Sequence, residues 1–326
     1  MNFNSVLFKG NSNFDDPASQ RVGFLSQFRL LNHWIGNQLG ETFMLEYILF
    51  ALEFTFHSIF QARFDYILTQ EPWVAKIIFK LQKLGFNPNT ELTFMCGVTM
   101  NAKLLPQFAK KVIVVNPLLY QKALTSGLSI ECTFIPNPFD TAKSKINRPK
   151  SKDFELDRQI KWIVVAGAIN RDIKRTHLIV DAWLECNSPE IGLCLIGDLQ
   201  DESIIEKCDT KPRHFLQRLV DPGEVAYYLY QATWICLASH QEGFPNVVLE
   251  SIVLGKVPYL QLNESNKLTM LGEERWLVDF EKADWINSIS QLSSNSNEAR
   301  NVANELQAFY SNNSAKVIDF MMKSPR

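Results

Sequence analysis

The sequence predicts an α/β protein with parallel sheets in two domains, and three observations carry that expectation. The stretch Ala232 to Leu262, ATWICLASHQEGFPNVVLESIVLGKVPYLQL, reads as strand, loop, helix, strand, the crossover unit that a parallel sheet needs. Short β-prone apolar runs, the kind that a parallel sheet buries on both faces, recur along the chain between helical spacings. The polar segment Thr141 to Asp157, TAKSKINRPKSKDFELD, reads as a linker, and the 326 residues are enough for two domains that each bury a core.

In chain order, Ser5 to Phe8 reads as the first strand and Asn11 to Ser19 as a polar loop of small residues. Gln20 to Leu39 has helical apolar spacing through Val22, Phe24, Leu25, Phe28, Leu31 and Trp34, and Arg21 at its start faces either the cleft or solvent. Phe43 to Phe60 is apolar enough to suggest a membrane span, but Glu46, Glu53 and His57 fall on one helical stripe. A buried amphipathic helix is therefore expected, because a carboxylate at mid-bilayer is costly. Strands follow at Phe64 to Leu68, Leu92 to Met95 and Lys111 to Asn116, with helices at Ala75 to Leu84 and Pro117 to Ser126.

Beyond the linker, Ile160 to Ala166 is a buried strand leading into a cationic loop with Arg171, Lys174 and Arg175, then a helix from His177 to Cys186. Ile191 to Gly197 is the next strand; Asp221-Pro222-Gly223 is a turn that opens the helix Glu224 to Gln231. In the central unit Trp234 to Ala238 is a strand, Pro245 suits the first turn of a helix over Asn246 to Leu254, and Gly255 supplies its left-handed stop before the strand Val257 to Leu262. Trp276 to Phe280 reads as a last edge strand. Helices are expected at Ala283 to Gln291, Asn297 to Phe309 and Lys316 to Lys323.

Such a unit sets a loop and the positive end of a helix at the carboxyl edge of the sheet, where open α/β sheets bind ligands. Free amides near Gly243 to Asn246 suit a phosphate. Glu242 stands just before the helix and Glu250 over a turn inside it, so a ligand must have nucleotide-sugar length to touch both. Helix dipoles favour acidic residues near helix starts in any case, so neither carboxylate speaks alone. The cationic loop with Arg171 and Lys174 offers a second phosphate contact.

The net charge of −2 gives no broad electrostatic case for nucleic acid. Six cysteines form no Cys-x-x-Cys pair and have no His at zinc-ligand spacing, which fits core thiols in a reducing compartment. The opening MNFNSVLFKGNSNFDD has no basic start or small-residue cleavage site, so a cytoplasmic protein is expected. No Gly-x-Gly-x-x-Gly follows the first strand, which speaks against a dinucleotide oxidoreductase. No Asp-x-Asp motif is present to hold a divalent metal, and neither cofactor nor metal is expected.

EGFPNVVLE followed by SIVLGKVP, with Glu242 and Glu250 seven residues apart, resembles the motif of retaining family 4 glycosyltransferases of the GT-B fold. Lys174 keeps that family's distance to a helix carrying Ala182 and Trp183. Gly197-Asp198 is similar to its Val-Gly-Asp-Gly, YLYQATW to its Leu-Tyr-x-x-Ala-Asp, and Glu131 to Asp140, ECTFIPNPFD, to its Ile-Pro-Asn-Gly-Val-Asp. The resemblance covers Ile160 to Leu262 well and the first half weakly. Ala168 or Ile169 stands where the family has an arginine, leaving Arg171 as a substitute, and Cys96 stands where it has a histidine.

The resemblance implies two Rossmann-like domains facing a cleft: residues 1–145 on the acceptor side, residues 155–305 holding the nucleotide sugar, and residues 306–326 as a helix crossing back to the first. It implies metal-independent transfer of a hexose-type sugar, with retention, from a nucleotide-sugar donor to a carbohydrate or lipid-linked hydroxyl in polysaccharide or glycolipid assembly. Lys174 and Glu242 would act in catalysis, and Arg171, Gly243, Phe244, Pro245, Asn246 and Glu250 would bind the donor. Peripheral contact with the inner face of the membrane would suit a lipid-linked acceptor. The competing expectation is a non-catalytic nucleotide-sugar-binding protein or the partner subunit of another transferase. An epimerase or phosphorylase of the same fold has no distinguishing residue.

Overall fold

The computed structural model describes residues 7–9, 19–21, 50–52, 54–56, 64–97, 100–137, 146–149, 155–186, 188–209, 215–220, 222–240, 242–282, 284–290, 293–294, 296–311 and 313–322. Every strand pairing within it is parallel. A two-stranded ribbon joins β1 (Leu7–Lys9) to β2 (Ser19–Arg21), with Leu7 opposite Ser19. Gln20 and Arg21 are therefore strand residues and not the start of a helix; the apolar spacing that suggested one begins only at Val22, and pairing overrides the weak local preference of two polar residues. The remainder of that expected helix, the polar loop Asn11 to Ala18 and most of 43–60 lie outside the described residues, although 50–52 and 54–56 are helical.

The first large sheet runs in sequence order: β3 (Tyr66–Thr69), β4 (Glu91–Cys96), β5 (Lys111–Val114) and β6 (Glu131–Phe134). Its crossovers include α1 (Pro72–Lys83) and α2 (Pro117–Thr125), each with Pro in the first turn, where the missing N–H costs nothing. Asn116 caps α2 by accepting the Leu119 N–H at 2.9 Å.

Alternation along β5 splits its side chains between two cores. Val112 and Val114 join Phe94, Ile78 and Phe79 under α1, whereas Ile113 and Val115 join the core that continues into the second half of the chain.

The second sheet has the order β12-β11-β10-β7-β8-β9, reversing direction at β7. Its strands are β7 (Lys161–Ala166), β8 (Ile191–Ile196), β9 (Phe215–Arg218), β10 (Trp234–Leu237), β11 (Tyr259–Gln261) and β12 (Leu277–Val278). The helices are α3 (Thr176–Cys186), α4 (Glu202–Asp209), α5 (Pro222–Gln231), α6 (Asn246–Val253), α7 (Glu264–Thr269), α8 (Trp285–Ile289), α9 (Asn297–Tyr310) and α10 (Asn313–Met322). The central strands are apolar on both faces: Ile163, Val164, Leu193, Leu195 and Ile235 are fully buried, as a sheet covered on both sides requires.

At the end of the chain, Lys111 at the start of β5 donates from Nζ to the carbonyls of Phe320 and Met321, each at 3.1 Å, and pairs with Glu91 at 2.8 Å. The last turn of α10 thus sits against the first sheet, its exposed carbonyls met by a cation. Tyr310 of α9 packs edge-on against Phe134 of β6 at 6.4 Å between ring centres.

Candidate functional site

The carboxyl edge of the second sheet opens at two glycines. Gly167 follows β7 at φ +130° and Gly197 follows β8 at φ +139°, in the region that glycine alone enters freely. A Cβ on Gly197 would stand 2.0 Å from the Gly167 carbonyl oxygen, so the two strand ends can approach only without side chains. Above them, Asn170 Oδ1 accepts the backbone N–H groups of Ile173 at 3.1 Å and Lys174 at 2.8 Å. That turn brings the Lys174 side chain over Gly167, and its Nζ reaches the Glu242 carboxylate at 2.7 Å.

Lys174 and Glu242, 68 residues apart, are therefore partners, with side chains 27% and 14% exposed. Glu242 follows β10, and Pro245 is the N-cap of α6 with ψ 121°. This shifts Pro245 one place from the first helical position: its carbonyl accepts the Val248 N–H at 3.0 Å, and α6 begins at Asn246. Proline has no N–H, so the free amides at this end are those of Gly243, Phe244, Asn246 and Val247, none of which finds an acceptor among the described residues. Gly255 ends the unit at φ +72°, in the conformation its position called for.

The other sequence candidates are placed less uniformly. The Phe244 ring is buried against Tyr310 at 5.0 Å and Phe134 at 6.4 Å, so only its backbone is offered to a ligand. Asn246 accepts from Asn137 of the first half at 3.1 Å. Arg171 turns away from the Lys174–Glu242 pair, donating from Nε to Asp201 at 2.8 Å and from Nη2 to Ser203 Oγ at 3.0 Å. Glu250 lies on α6 and is half-buried; no described residue bonds to it, and burial raises its pKa above the ordinary carboxylate value.

The loop after β7 is electropositive. His177 at its end is held below the usual imidazole pKa, first by burial and then by the neighbouring Arg171, with Arg175 and Lys207 adding to this against the opposing charge of Asp181.

A cleft of about 410 Å³ lies beside Glu242, where the carboxyl ends of β5, β10 and β11 meet. Asn116, Lys122, His240, Asn263 and Ser265 line it. Asn116, His240 and Asn263 fall outside what sequence reasoning singled out, and Arg175 is named there only as part of the cationic loop. Asn116 donates from Nδ2 to the Glu242 carbonyl at 2.7 Å and to Ser265 Oγ at 3.3 Å. Arg175, in left-handed backbone at φ +53°, reaches the His240 ring at 3.5 Å and Glu281 at 2.6 Å. Asn263 donates to the His240 carbonyl at 3.3 Å. For Asn116 the Asn-Pro pair was a readable cap signal; its reach to a loop 126 residues away was not.

Among the described residues no three or more His, Cys, Asp or Glu side chains gather as metal ligands, and no helix is long and apolar enough to cross a membrane. The arrangement joins a helix start with free amides, a lysine and the Glu242 carboxylate at one sheet edge, with Glu250 over a turn further along α6. It can neutralise an anion and accept hydrogen bonds from hydroxyl groups.

Residues 160–295 match the family model described as glycosyl transferases group 1. No curated protein sequence matches the chain. Among solved structures, sucrose-phosphate synthase from Thermosynechococcus elongatus is similar with a TM-score of 0.70 at 14% identity, over 96% of this chain and 88% of that one. The structure titled trehalose-6-phosphate from E. coli bound with UDP-2-fluoro glucose aligns with a TM-score of 0.65 at 11% identity, over 88% and 79% of the two chains. Anabaena Alr3699/HepE in complex with UDP aligns with a TM-score of 0.60 at 15% identity, over 83% and 81%. The chain has the GT-B fold, and the match of residues 160–295 to the group 1 glycosyl transferase model supports a glycosyltransferase.

Proposed function

We propose that the chain moves a hexose-type sugar from a nucleotide-sugar donor to a hydroxyl acceptor, with retention at the anomeric carbon and without a divalent metal. The observation that carries this reading is the Lys174–Glu242 contact of 2.7 Å beside the free amides that open α6. When the glycosidic bond of the donor breaks, negative charge grows on the diphosphate. The amides of Gly243, Phe244, Asn246 and Val247 are fixed donors for that charge, and Lys174 adds its own once its ammonium is shared between Glu242 and the phosphate.

Glu242, relieved of Lys174 by the phosphate, accepts the sugar hydroxyls. Glu250, half-buried and without a side-chain partner among the described residues, accepts hydrogen bonds from those of the ribose. Arg171 adds positive potential from its seat on Asp201. The acceptor hydroxyl enters from the 410 Å³ cleft between the two halves. A carbohydrate or lipid-linked acceptor in polysaccharide or glycolipid assembly, and peripheral contact with the inner face of a membrane, belong to the same proposal.

The test has two stages. Thermal unfolding against a panel of nucleoside diphosphates and nucleotide sugars, with magnesium and with chelator, is expected to show a metal-independent rise for one base. The protecting donor is then used for transfer with Lys174→Ala and Glu242→Ala, each expected to lose turnover by about 100-fold or more. Folded variants with full turnover would refute the assignment. A binding-only reading draws on Cys96: it is fully buried at the end of β4, where a transferase of the resembling family has a histidine. Donor protection without hydrolysis or transfer to any acceptor would favour it.

A further inference from the structure

We infer that Asn116 is a positioning residue for Glu242, so that the first sheet sets the conformation of the donor loop. The inference rests on the reading of Glu242 as a donor-site residue and adds what holds it there. Asn116 follows β5 and is only 3% exposed, so its amide must be satisfied within the protein. Its Oδ1 accepts the Leu119 N–H at 2.9 Å as the cap of α2. That bond fixes which way the amide points, because the oxygen must face the N–H. Nδ2 is thereby aimed across the interface at two acceptors, the Glu242 carbonyl at 2.7 Å and Ser265 Oγ at 3.3 Å.

The next residue of the loop is seated from the same side. A Cβ on Gly243 would lie 2.5 Å from the carbonyl oxygen of Gly97 and 3.1 Å from Val115 Cγ2, so the loop rests directly on the first sheet's strand ends. Glu242 is thus held at both ends: its carbonyl by Asn116, its carboxylate by Lys174 at 2.7 Å. Both groups of Asn116 are needed. Aspartate keeps the cap but sets an oxygen against the Glu242 carbonyl, and serine keeps the cap but is too short to cross.

The test needs no donor and so stands apart from the functional reading. Thermal unfolding is measured for Lys174→Gln, Glu242→Gln and the double variant, in the Asn116 protein and again in Asn116→Ser. The two changes are expected to be non-additive with Asn116 present and additive without it. Simple destabilisation by Asn116→Ser would lower every melting temperature and leave the coupling intact. Equal coupling in both backgrounds, or none with Asn116 present, overturns the inference. Asn116→Asp, which preserves the α2 cap, is the second variant should the serine protein not fold, with the same loss of coupling expected.

If a donor is identified by thermal protection, Asn116→Ser is expected to lower kcat about tenfold, the worth of one hydrogen bond, and to leave the Kd for the nucleoside diphosphate within about twofold. An unchanged kcat overturns the inference. Full activity of Glu242→Ala would instead sink the functional reading on which it rests.

Discussion

Gly243→Ala isolates the seating of the donor loop on the first sheet. Gly243 is not among the glycines in left-handed backbone, so alanine meets no φ penalty there and steric contact is the only new term. The added Cβ would stand 2.5 Å from the Gly97 carbonyl oxygen, whereas side-chain carbons essentially never come within 3.0 Å of another heavy atom. The obstacle is backbone and cannot rotate aside, and Val115 Cγ2 at 3.1 Å closes the nearest escape. Relief requires the loop to retreat by more than half an ångström. Overpacking of this kind costs about 1–3 kcal/mol, or about 2–4 °C in Tm per kcal/mol for a domain of this size class. The retreat also shifts Glu242 relative to Lys174, and a displacement approaching an ångström at a reacting centre costs about 100-fold in rate. Thermal unfolding and kcat with the protecting donor are the assays. Gly97→Ala, whose Cβ meets no described atom within 4 Å, is the control and is expected to stay within about 0.5 kcal/mol. A Gly243→Ala protein with the parent Tm and kcat would mean that the loop does not rest on Gly97.

Two other perturbations have clear signs. Because burial raises the Glu250 pKa in the folded protein, its ionisation costs stability as pH rises past the unfolded carboxylate value and through the raised one. Glu250→Gln should therefore match the parent Tm near pH 4 and exceed it at pH 7, while nucleoside diphosphate protection weakens because a charged acceptor is lost; Tm against pH, with and without nucleotide, checks both. Lys111→Met removes the cation that meets Glu91 and the carbonyls of Phe320 and Met321. Glu91 keeps 24% of its side chain in water, so losing the lysine costs about 1–3 kcal/mol, and hydrogen exchange should accelerate first in α10.

Legibility in the sequence followed the range of the interactions. The unit from β10 through α6 to β11 was readable because its signals are local: an apolar strand, a proline at the helix entrance, a glycine at φ +72° after the helix. The elements that escaped were those without contrast. All four residues of β9 are half-buried, as suits an edge strand under α3, so FLQR shows neither alternation nor an apolar run. The short polar helices α4 and α7 lack an apolar face long enough to read. At the site, Lys174 and Glu242 were named from loops 68 residues apart, and Arg171 was named with them. What separates the arginine is Asp201, a neighbour supplied from just before α4 and invisible in the spacing of the cationic loop. Asn116 and Arg175 act through partners 126 and 65 residues away, beyond any periodicity.

The ion pair at the centre of the site makes a last demand on the binding energetics. Lys174 neutralises Glu242, whose side chain is only 14% exposed and poorly screened by water. An arriving diphosphate must share that ammonium, and a carboxylate then remains close to a phosphate. Removing Lys174 alone leaves the two like charges facing each other with no cation between them, whereas removing both charges leaves the free amides of α6 to hold the phosphate. Diphosphate affinity should therefore fall most in Lys174→Ala and recover in Lys174→Ala with Glu242→Gln, with the difference shrinking as salt is raised from 0.05 to about 0.5 M. Titration calorimetry with the protecting nucleoside diphosphate measures it. If the double variant binds no better than the single one, Glu242 does not face the phosphate, and the pair is a structural strut between two loops.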